Sequence, residues 1–194
     1  MPAIPKNPDE FFTIWLPQSL VPLGSQLANS SSPGAVVFHV GVRPPLAVRL
    51  QGGALQTTPG LADDAIVQVS LSEEDFEPIL VRGAERMTES ADPGQTLAVL
   101  RALTLDRERV ALIRDVVGSV AFVLAVDGGE HRVILTPGIA PRNVTAPECT
   151  VRCALDDFLA LQRGDANPFE LMMNGKIQIS GDAQIPMALS SLLV

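Results

Sequence analysis

Hydrophobic and polar residues alternate along two stretches of the chain, and this alternation predicts β-strands. From Gly34, every second residue up to Val42 is a valine or Phe38, and a similar apolar pattern follows Gly118 up to Val126. Successive side chains of a strand point to opposite faces, so the pattern buries one face of each strand. Shorter apolar or alternating runs predict three more strands, at 46–50, 66–71 and 176–180.

Apolar residues that recur every three or four positions predict helices between these strands. We expect Asp9 to cap a first helix that is interrupted at Pro17, and Ser72 to cap another. Residues 106–117 predict an amphipathic helix that turns Val110, Ile113, Val116 and Val117 inward. Further helices are predicted at 155–163, at 168–173 and from residue 185 onwards, whereas 52–60 is predicted to be a loop.

The order of elements in the first half returns in the second half. Residues 34–42 correspond to 118–126, 84 positions further on, and residues 69–76 correspond to 151–158, 82 positions further on. Because the identities within the strands fall on alternate residues, the same face is predicted to be buried in both copies. We therefore predict two repeats, 1–104 and 105–194, of which the first lacks a strand equivalent to the one at 176–180. A weaker similarity links residues 95–100 to the final helix.

The last forty residues carry the most specific motif in the chain. It runs through Asp156-Asp157-Phe158, Pro168-Phe169, Asn174-Gly175-Lys176-Ile177 and a terminal Ala188-Leu189 segment. In this order and spacing the motif resembles the sterol carrier protein type-2 family. The resemblance implies an α+β fold with a mainly antiparallel sheet covered by helices, and an apolar cavity often gated by the last helix. It also implies a non-catalytic binder of a lipid or another long apolar ligand, and it is stronger over 105–194 than over the first repeat.

Charge and hydropathy limit the partners of the protein. The chain has 22 Asp and Glu against 14 Lys and Arg, for a formal net charge of −8. Nucleic acids and anionic membrane surfaces are therefore unfavoured partners. No uncharged apolar run reaches about 18 residues, and the first residues lack a charged region followed by an apolar one. We expect a cytoplasmic protein without stable membrane insertion.

The residues that usually carry chemistry do not form a recognised catalytic or metal motif. Cys149 and Cys153 are four apart in a predicted strand, or about 13 Å, which is too far for a disulfide, so we expect two buried core residues. His39 is expected to be a sheet residue with satisfied hydrogen bonds, and His131 a surface residue. The acidic clusters at 73–75 and 156–157 fall at predicted helix starts, where they stabilise the helix dipole. We predict no enzymatic activity, metal or cofactor; an enzyme would require a pocket that brings a histidine to a carboxylate.

Apolar residues of the tail form the candidate ligand site. We expect ten of them to line a cavity between the sheet and the closing helix: Phe158, Phe169, Met172, Met173, Ile177, Ile179, Met187, Leu189, Leu192 and Leu193. Methionine suits such a wall because its flexible side chain adapts to different ligands. The alternative is that these side chains fill the cavity and the protein is an interaction module, for a homo-oligomer or a protein partner. A filled cavity predicts tight packing around Met172 and Met187.

Overall fold

Eight strands form one mixed sheet in the order β3-β2-β1-β4-β6-β5-β7-β8. The structure, a computed structural model, describes residues 3–19, 31–89 and 105–193, excluding the side chains of 87–89 and 190–193. The strands are β1 Ala35–Val40, β2 Leu46–Gln51, β3 Ala54–Pro59, β4 Ala65–Leu71, β5 Val120–Val126, β6 Gly129–Pro137, β7 Cys149–Ala154 and β8 Gln178–Gly181.

The helices connect and cover these strands. They are α1 Pro8–Glu10, α2 Leu16–Ser19, α3 Glu73–Phe76, α4 Arg82–Glu89, α5 Arg107–Arg114, α6 Leu155–Arg163, α7 Pro168–Met173 and α8 Gln184–Leu193. Two π-helical turns, Phe11–Trp15 and Glu77–Val81, join α1 to α2 and α3 to α4. The predicted α+β class is confirmed, and five of the seven strand pairs are antiparallel.

Both halves of the sheet use the same pairing pattern. In the first half β1 pairs antiparallel with β2 and parallel with β4. In the second half β5 pairs antiparallel with β6 and parallel with β7. The antiparallel pair of β4 and β6 joins the halves into one sheet, to which β3 and β8 add the outer strands.

The main core lies between one face of the sheet and the helices. Alternate strand residues such as Val69 and Phe122 belong to one apolar cluster with helix residues such as Phe76, Ile113 and Leu159. The opposite face of the sheet carries a smaller cluster of mostly alanines and, towards its centre, the buried polar residues Gln68, Ser70, Ser119 and Thr136. Residues 138–143 lie against these polar residues through several hydrogen bonds.

Several sequence predictions differ from the structure at the ends and edges of elements. Residues 54–59 form the outer strand β3 and not a loop; because β3 pairs on one side only, it needs no strong apolar alternation. The side chain of Asn7, and not that of Asp9, caps α1 by accepting a hydrogen bond from the Asp9 amide. Helix α5 ends at Arg114, which leaves Val117 exposed. The predicted similarity at 95–100 lies outside the described residues.

Candidate functional site

Helix α7 has hydrogen bonds that fix both of its ends, although it has only six residues. The side chain of Asn167 accepts a hydrogen bond of 2.9 Å from the Phe169 amide, and Pro168 occupies the first helical position, as predicted. Leu171 is the buried residue of the helix and joins the main core. Its carbonyl oxygen accepts hydrogen bonds from the amides of Lys176 and Ile177, which fixes the turn after the helix.

The side of α7 that faces away from the core is apolar. Phe169, Met172 and Met173 are 68%, 47% and 74% exposed. Their spacing of three and four residues places them on one side of the helix, which we call the apolar face of α7. Three large apolar side chains on one short, well-anchored helix form a surface that an apolar molecule can cover.

The remaining predicted site residues are divided between the main core and the surface. Ile177 and Leu189 are buried in the main core, and Phe158 and Ile179 pack partly buried against it. The rings of Phe158 and Phe122 lie 5.3 Å apart, centroid to centroid. Met187, on α8, is 71% exposed. The side chains of Leu192 and Leu193 lie outside the described part of the chain.

Helix α8 is fixed to the domain by its apolar inner side. Ile185 and Leu189, four residues apart, are buried, and the helix packs on α5 and β7. Gly118, which precedes β5, allows this close approach: a Cβ atom there would lie 2.8 Å from Cδ1 of Ile185. The closing helix thus packs on β7 at the side of the sheet, while Met187 is exposed.

A polar cleft of about 490 Å³ lies where the two halves meet, and none of the ten predicted residues lines it. Its wall comes from α3, the turn after it, the start of α4 and the β5-β6 hairpin: Glu73, Glu74, Glu77, Pro78, Arg82, Val126, Asp127, Gly129 and His131. Arg82 bonds to Glu85 at 2.9 Å and lies 3.9 Å from Asp127. Sequence reasoning missed this cleft because its residues come from distant segments that share no motif.

One histidine of the cleft does meet a carboxylate. Nδ1 of His131 lies 3.1 Å from Oδ1 of Asp75, so His131 is a half-buried, bonded residue and not a simple surface residue. Such a carboxylate can orient an imidazole as a general base. The nearby hydroxyl of Ser72, however, donates to Oδ2 of Asp75 at 2.7 Å, and its oxygen accepts from the Asp75 amide. Ser72 is therefore used as a helix cap, as predicted, and is not placed as a nucleophile on the imidazole.

The other histidine differs from its predicted state. His39 is buried in β1, but its Nε2 atom has no hydrogen-bond partner, so its hydrogen bonds are not all satisfied. Burial lowers the pKa of His39, the neighbouring positive charge of Arg142 lowers it further, and a hydrogen bond with Gln68 acts in the opposite direction. The alternation of β1 places His39 on the face of the sheet away from the helices, but only the fold brings Arg142 to it.

The two cysteines are free and buried in β7, as predicted. Burial, and secondly the charge of Asp157, raises the pKa of the Cys153 thiol to about 11. Burial likewise raises the pKa of the Cys149 thiol, with a smaller effect from Asp182. Within the described ranges, no three His, Cys, Asp or Glu side chains converge to hold a metal ion. None of the helices described is both long and apolar enough to cross a bilayer.

The second half of the chain has a match among known families. Residues 100–194 match the sequence model of the SCP-2 sterol transfer family, which confirms the resemblance predicted for the tail. This segment contains β5 to β8 and helices α5 to α8, and therefore both α7 and the closing helix. The match does not extend over residues 1–99. No curated protein matches the chain by sequence.

Solved structures of sterol carrier proteins show limited similarity to the chain. Sterol carrier protein 2-like 2 from Aedes aegypti is 21% identical, with 57% of this chain and 96% of that chain covered and a TM-score of 0.37. Sterol carrier protein domain 2 of Helicoverpa armigera is 19% identical, with 54% and 91% covered and a TM-score of 0.38. Sterol carrier protein 2 from Aedes aegypti, solved in complex with the C16 fatty acid palmitate, is 16% identical, with 52% and 91% covered and a TM-score of 0.35.

Proposed function

We propose that the second half of the chain binds a lipid or another long apolar molecule, without catalysis, between the sheet and the C-terminal helices. The observation that carries this proposal is the apolar face of α7, within the segment that matches a sterol transfer family. Phe169, Met172 and Met173 are exposed on an anchored helix, where covering them with an apolar ligand is favourable. The hydrophobic contribution is roughly 0.8 kcal/mol for each methylene group removed from water.

The ligand site would extend from this face towards α8 and β8. Ile177 and Leu189 would form its buried floor, and Phe158, Ile179 and Met187 would complete the wall together with Leu192 and Leu193. Methionines at the rim suit this use because their unbranched side chains rearrange around chains or rings of different shape. No charged anchor is required in such a site, which agrees with the lack of a polar motif in the tail.

We also propose that the chain contains two repeats, residues 1–104 and 105–194. The equivalent pairing of β1, β2 and β4 with that of β5, β6 and β7 supports this duplication. Gly34 and Gly118, 84 positions apart, both stand just before the first strand of their half, in crowded positions. The ligand site is assigned to the second repeat alone, since α7 and β8 follow α6 there.

The second candidate is a protein-interaction module that covers the same face with another protein or a second copy. Exposure of the apolar face of α7 favours docking as well as ligand binding. A filled cavity predicted tight packing around Met172 and Met187. Because these side chains are 47% and 71% exposed, the filled cavity is not favoured.

Surface variants distinguish the two candidates without disturbing the core. Met173→Asp and Phe169→Asp place a charge on the apolar face of α7, and Leu112→Asp is the matched control. Leu112 lies on α5 and is 71% exposed, against 74% for Met173. In a titration with a fluorescent fatty acid, the wild type and Leu112→Asp should bind saturably, and the other two at least tenfold more weakly.

Two outcomes would overturn lipid binding at this face. One is that the Met173→Asp and Phe169→Asp variants bind the fluorescent fatty acid as tightly as the wild type does. The other is absence of binding by the wild type. Size-exclusion chromatography of the same samples reports on the alternative: an oligomer that becomes a monomer only in the Met173→Asp and Phe169→Asp variants supports the interaction module.

A further inference from the structure

Residues 138–143, which follow β6, are attached by a few polar contacts to the face of the sheet opposite the main core. The amide of Gly138 donates to the Ile66 carbonyl oxygen at 2.7 Å. Nε2 of Gln68 donates to the carbonyl oxygens of Gly138 and Ala140, at 3.1 and 2.9 Å. We call this segment the 138–143 flap.

The second part of the flap is attached in the same way. A guanidinium nitrogen of Arg142 donates to the hydroxyl of Ser70 at 3.2 Å, and the amide of Asn143 donates to the hydroxyl of Ser119 at 3.2 Å. Ser70 is the partner of His39 in the parallel pairing of β4 and β1. The charged end of Arg142 is thereby brought beside the buried imidazole.

Gln68 lies between His39 and the flap. Its amide nitrogen donates to the flap carbonyl groups, so its carboxamide oxygen is the atom available to accept from the imidazole. Nε2 of His39 is buried and has no hydrogen-bond partner.

Protonation of His39 would place a positive charge in this site, with an N–H at Nε2 that has no partner. The groups that face the ring do not compensate for it: Gln68 and Ser70 of β4 are neutral, and Arg142 of the flap is positive. Among the described residues, no carboxylate lies within ion-pair distance of Arg142. A buried charge beside a like charge is unfavourable unless water or an anion reaches it.

We propose that the 138–143 flap is a pH-sensitive element, held closed by neutral His39 and released when His39 is protonated. Release moves Arg142 away from the ring and admits water to Nε2. Gln68 couples the two events, since one carboxamide holds both the imidazole and the flap carbonyl groups. The helix-covered core on the other face of the sheet keeps its packing.

Hydrogen exchange followed by NMR tests this proposal on the full chain. The reporters are the hydrogen-bonded amides of Gly138 and Asn143, and the central-strand amide of Val69 is the reference. After correction for the intrinsic effect of pH, Gly138 and Asn143 should exchange at least tenfold faster at pH 5 than at pH 7.5, while Val69 does not change.

Two variants show which histidine causes the effect of pH on amide exchange in the flap. The chain has two histidines, so His131→Gln is the matched control for His39→Gln. The pH effect should persist in His131→Gln and disappear in His39→Gln. Persistence in His39→Gln, or equal acceleration at Val69, would overturn the proposal.

A third variant keeps the test independent of how well His39→Gln folds. Arg142→Gln changes an exposed residue and removes the positive charge. The imidazole titration of His39 should then shift to higher pH, and the acid-induced exchange of Asn143 should decrease. An unchanged His39 titration would contradict the contact between the ring and the flap.

Discussion

Nδ1 of His131 lies 3.1 Å from Oδ1 of Asp75, and this hydrogen bond joins β6 of the second half to α3 of the first half. Both side chains are largely shielded from water, at 24% and 18% exposure. The bond therefore connects the two predicted repeats beside the polar cleft. Ser72 holds the other carboxylate oxygen of Asp75, so the contact extends into the cap of α3.

Loss of this bond should reduce stability and show coupling between its partners. We expect His131→Ala to lower the free energy of unfolding by about 1 kcal/mol, the usual contribution of one partly shielded hydrogen bond. Asp75→Asn should have a similar effect in the wild type and a smaller one in the His131→Ala background. Chemical denaturation of the four proteins measures the coupling, and strictly additive losses would show that the bond is not formed.

Two glycines should respond to alanine in opposite directions. Gly118 has φ +111° and a site where a Cβ atom would lie 2.8 Å from Ile185, so Gly118→Ala should destabilise the protein by about 2 kcal/mol or more. Gly83 lies in helix α4, where an added Cβ atom would meet open space within 4 Å, so Gly83→Ala should stabilise by up to about 1 kcal/mol. Thermal unfolding should show a lower melting temperature for Gly118→Ala and a higher one for Gly83→Ala than for the wild type. A tolerated Gly118→Ala would mean that α8 does not pack on the start of β5.

Glu148 should contribute a pH-dependent part of stability. Its carboxylate accepts from the amide of Ser119 at 2.7 Å and from the side chain of Asn143 at 2.9 Å. The Asn143 bond first, and the Ser119 bond second, lower the pKa of Glu148 from its ordinary 4.5. A lowered pKa means that the carboxylate stabilises the fold fully above about pH 4.5, and that this contribution is lost as pH falls through the folded-state pKa.

Glu148→Gln should therefore lower the free energy of unfolding by about 1 kcal/mol at pH 7, a modest value because the side chain is exposed. The difference from the wild type should stay constant down to pH 5 and shrink below about pH 4.5. Urea denaturation at several pH values measures it, with Glu108→Gln on the exposed side of α5 as the control. If the difference in free energy of unfolding between the wild type and Glu148→Gln grew as the pH falls, this account of Glu148 would be contradicted.

Both cysteine thiols should be unreactive in the folded protein. Cys149 and Cys153 are buried and their pKa values are raised, so little thiolate exists at pH 8 and reagents cannot reach it. Reaction with a disulfide reagent should require unfolding, and its rate should increase with added urea in parallel with the unfolded fraction. Rapid labelling of either thiol without denaturant would contradict the packing of β7.

The sequence predicted those elements whose pattern is local. The alternation around Phe38 and Phe122 identified two strands, because alternate residues of each strand face the main core. The cap at Ser72 and the helix start at Pro168 were visible because both depend on neighbouring residues. Strand β3 was missed, since a polar outer strand depends on its partner β2 and has little pattern of its own.

The arrangement of the candidate sites depended on contacts that no local pattern contains. The ten apolar residues of the tail were predicted together, but the division into exposed Phe169 and Met173 and buried Leu189 follows from how α7 and α8 pack. Likewise, alternation placed His39 in a strand, but only the path of the chain after β6 brings Arg142 beside it. Such juxtapositions are set by tertiary structure.

Native mass spectrometry of the freshly purified protein is the most direct test of the central claim, that the second half binds an apolar ligand. Lipid binding predicts a species heavier than the 20.6 kDa chain that returns to the chain mass after organic extraction, and that reappears when a C16 fatty acid or a sterol is added. Protein that is purified at the bare chain mass and takes up no fatty acid, acyl thioester or sterol would contradict the claim.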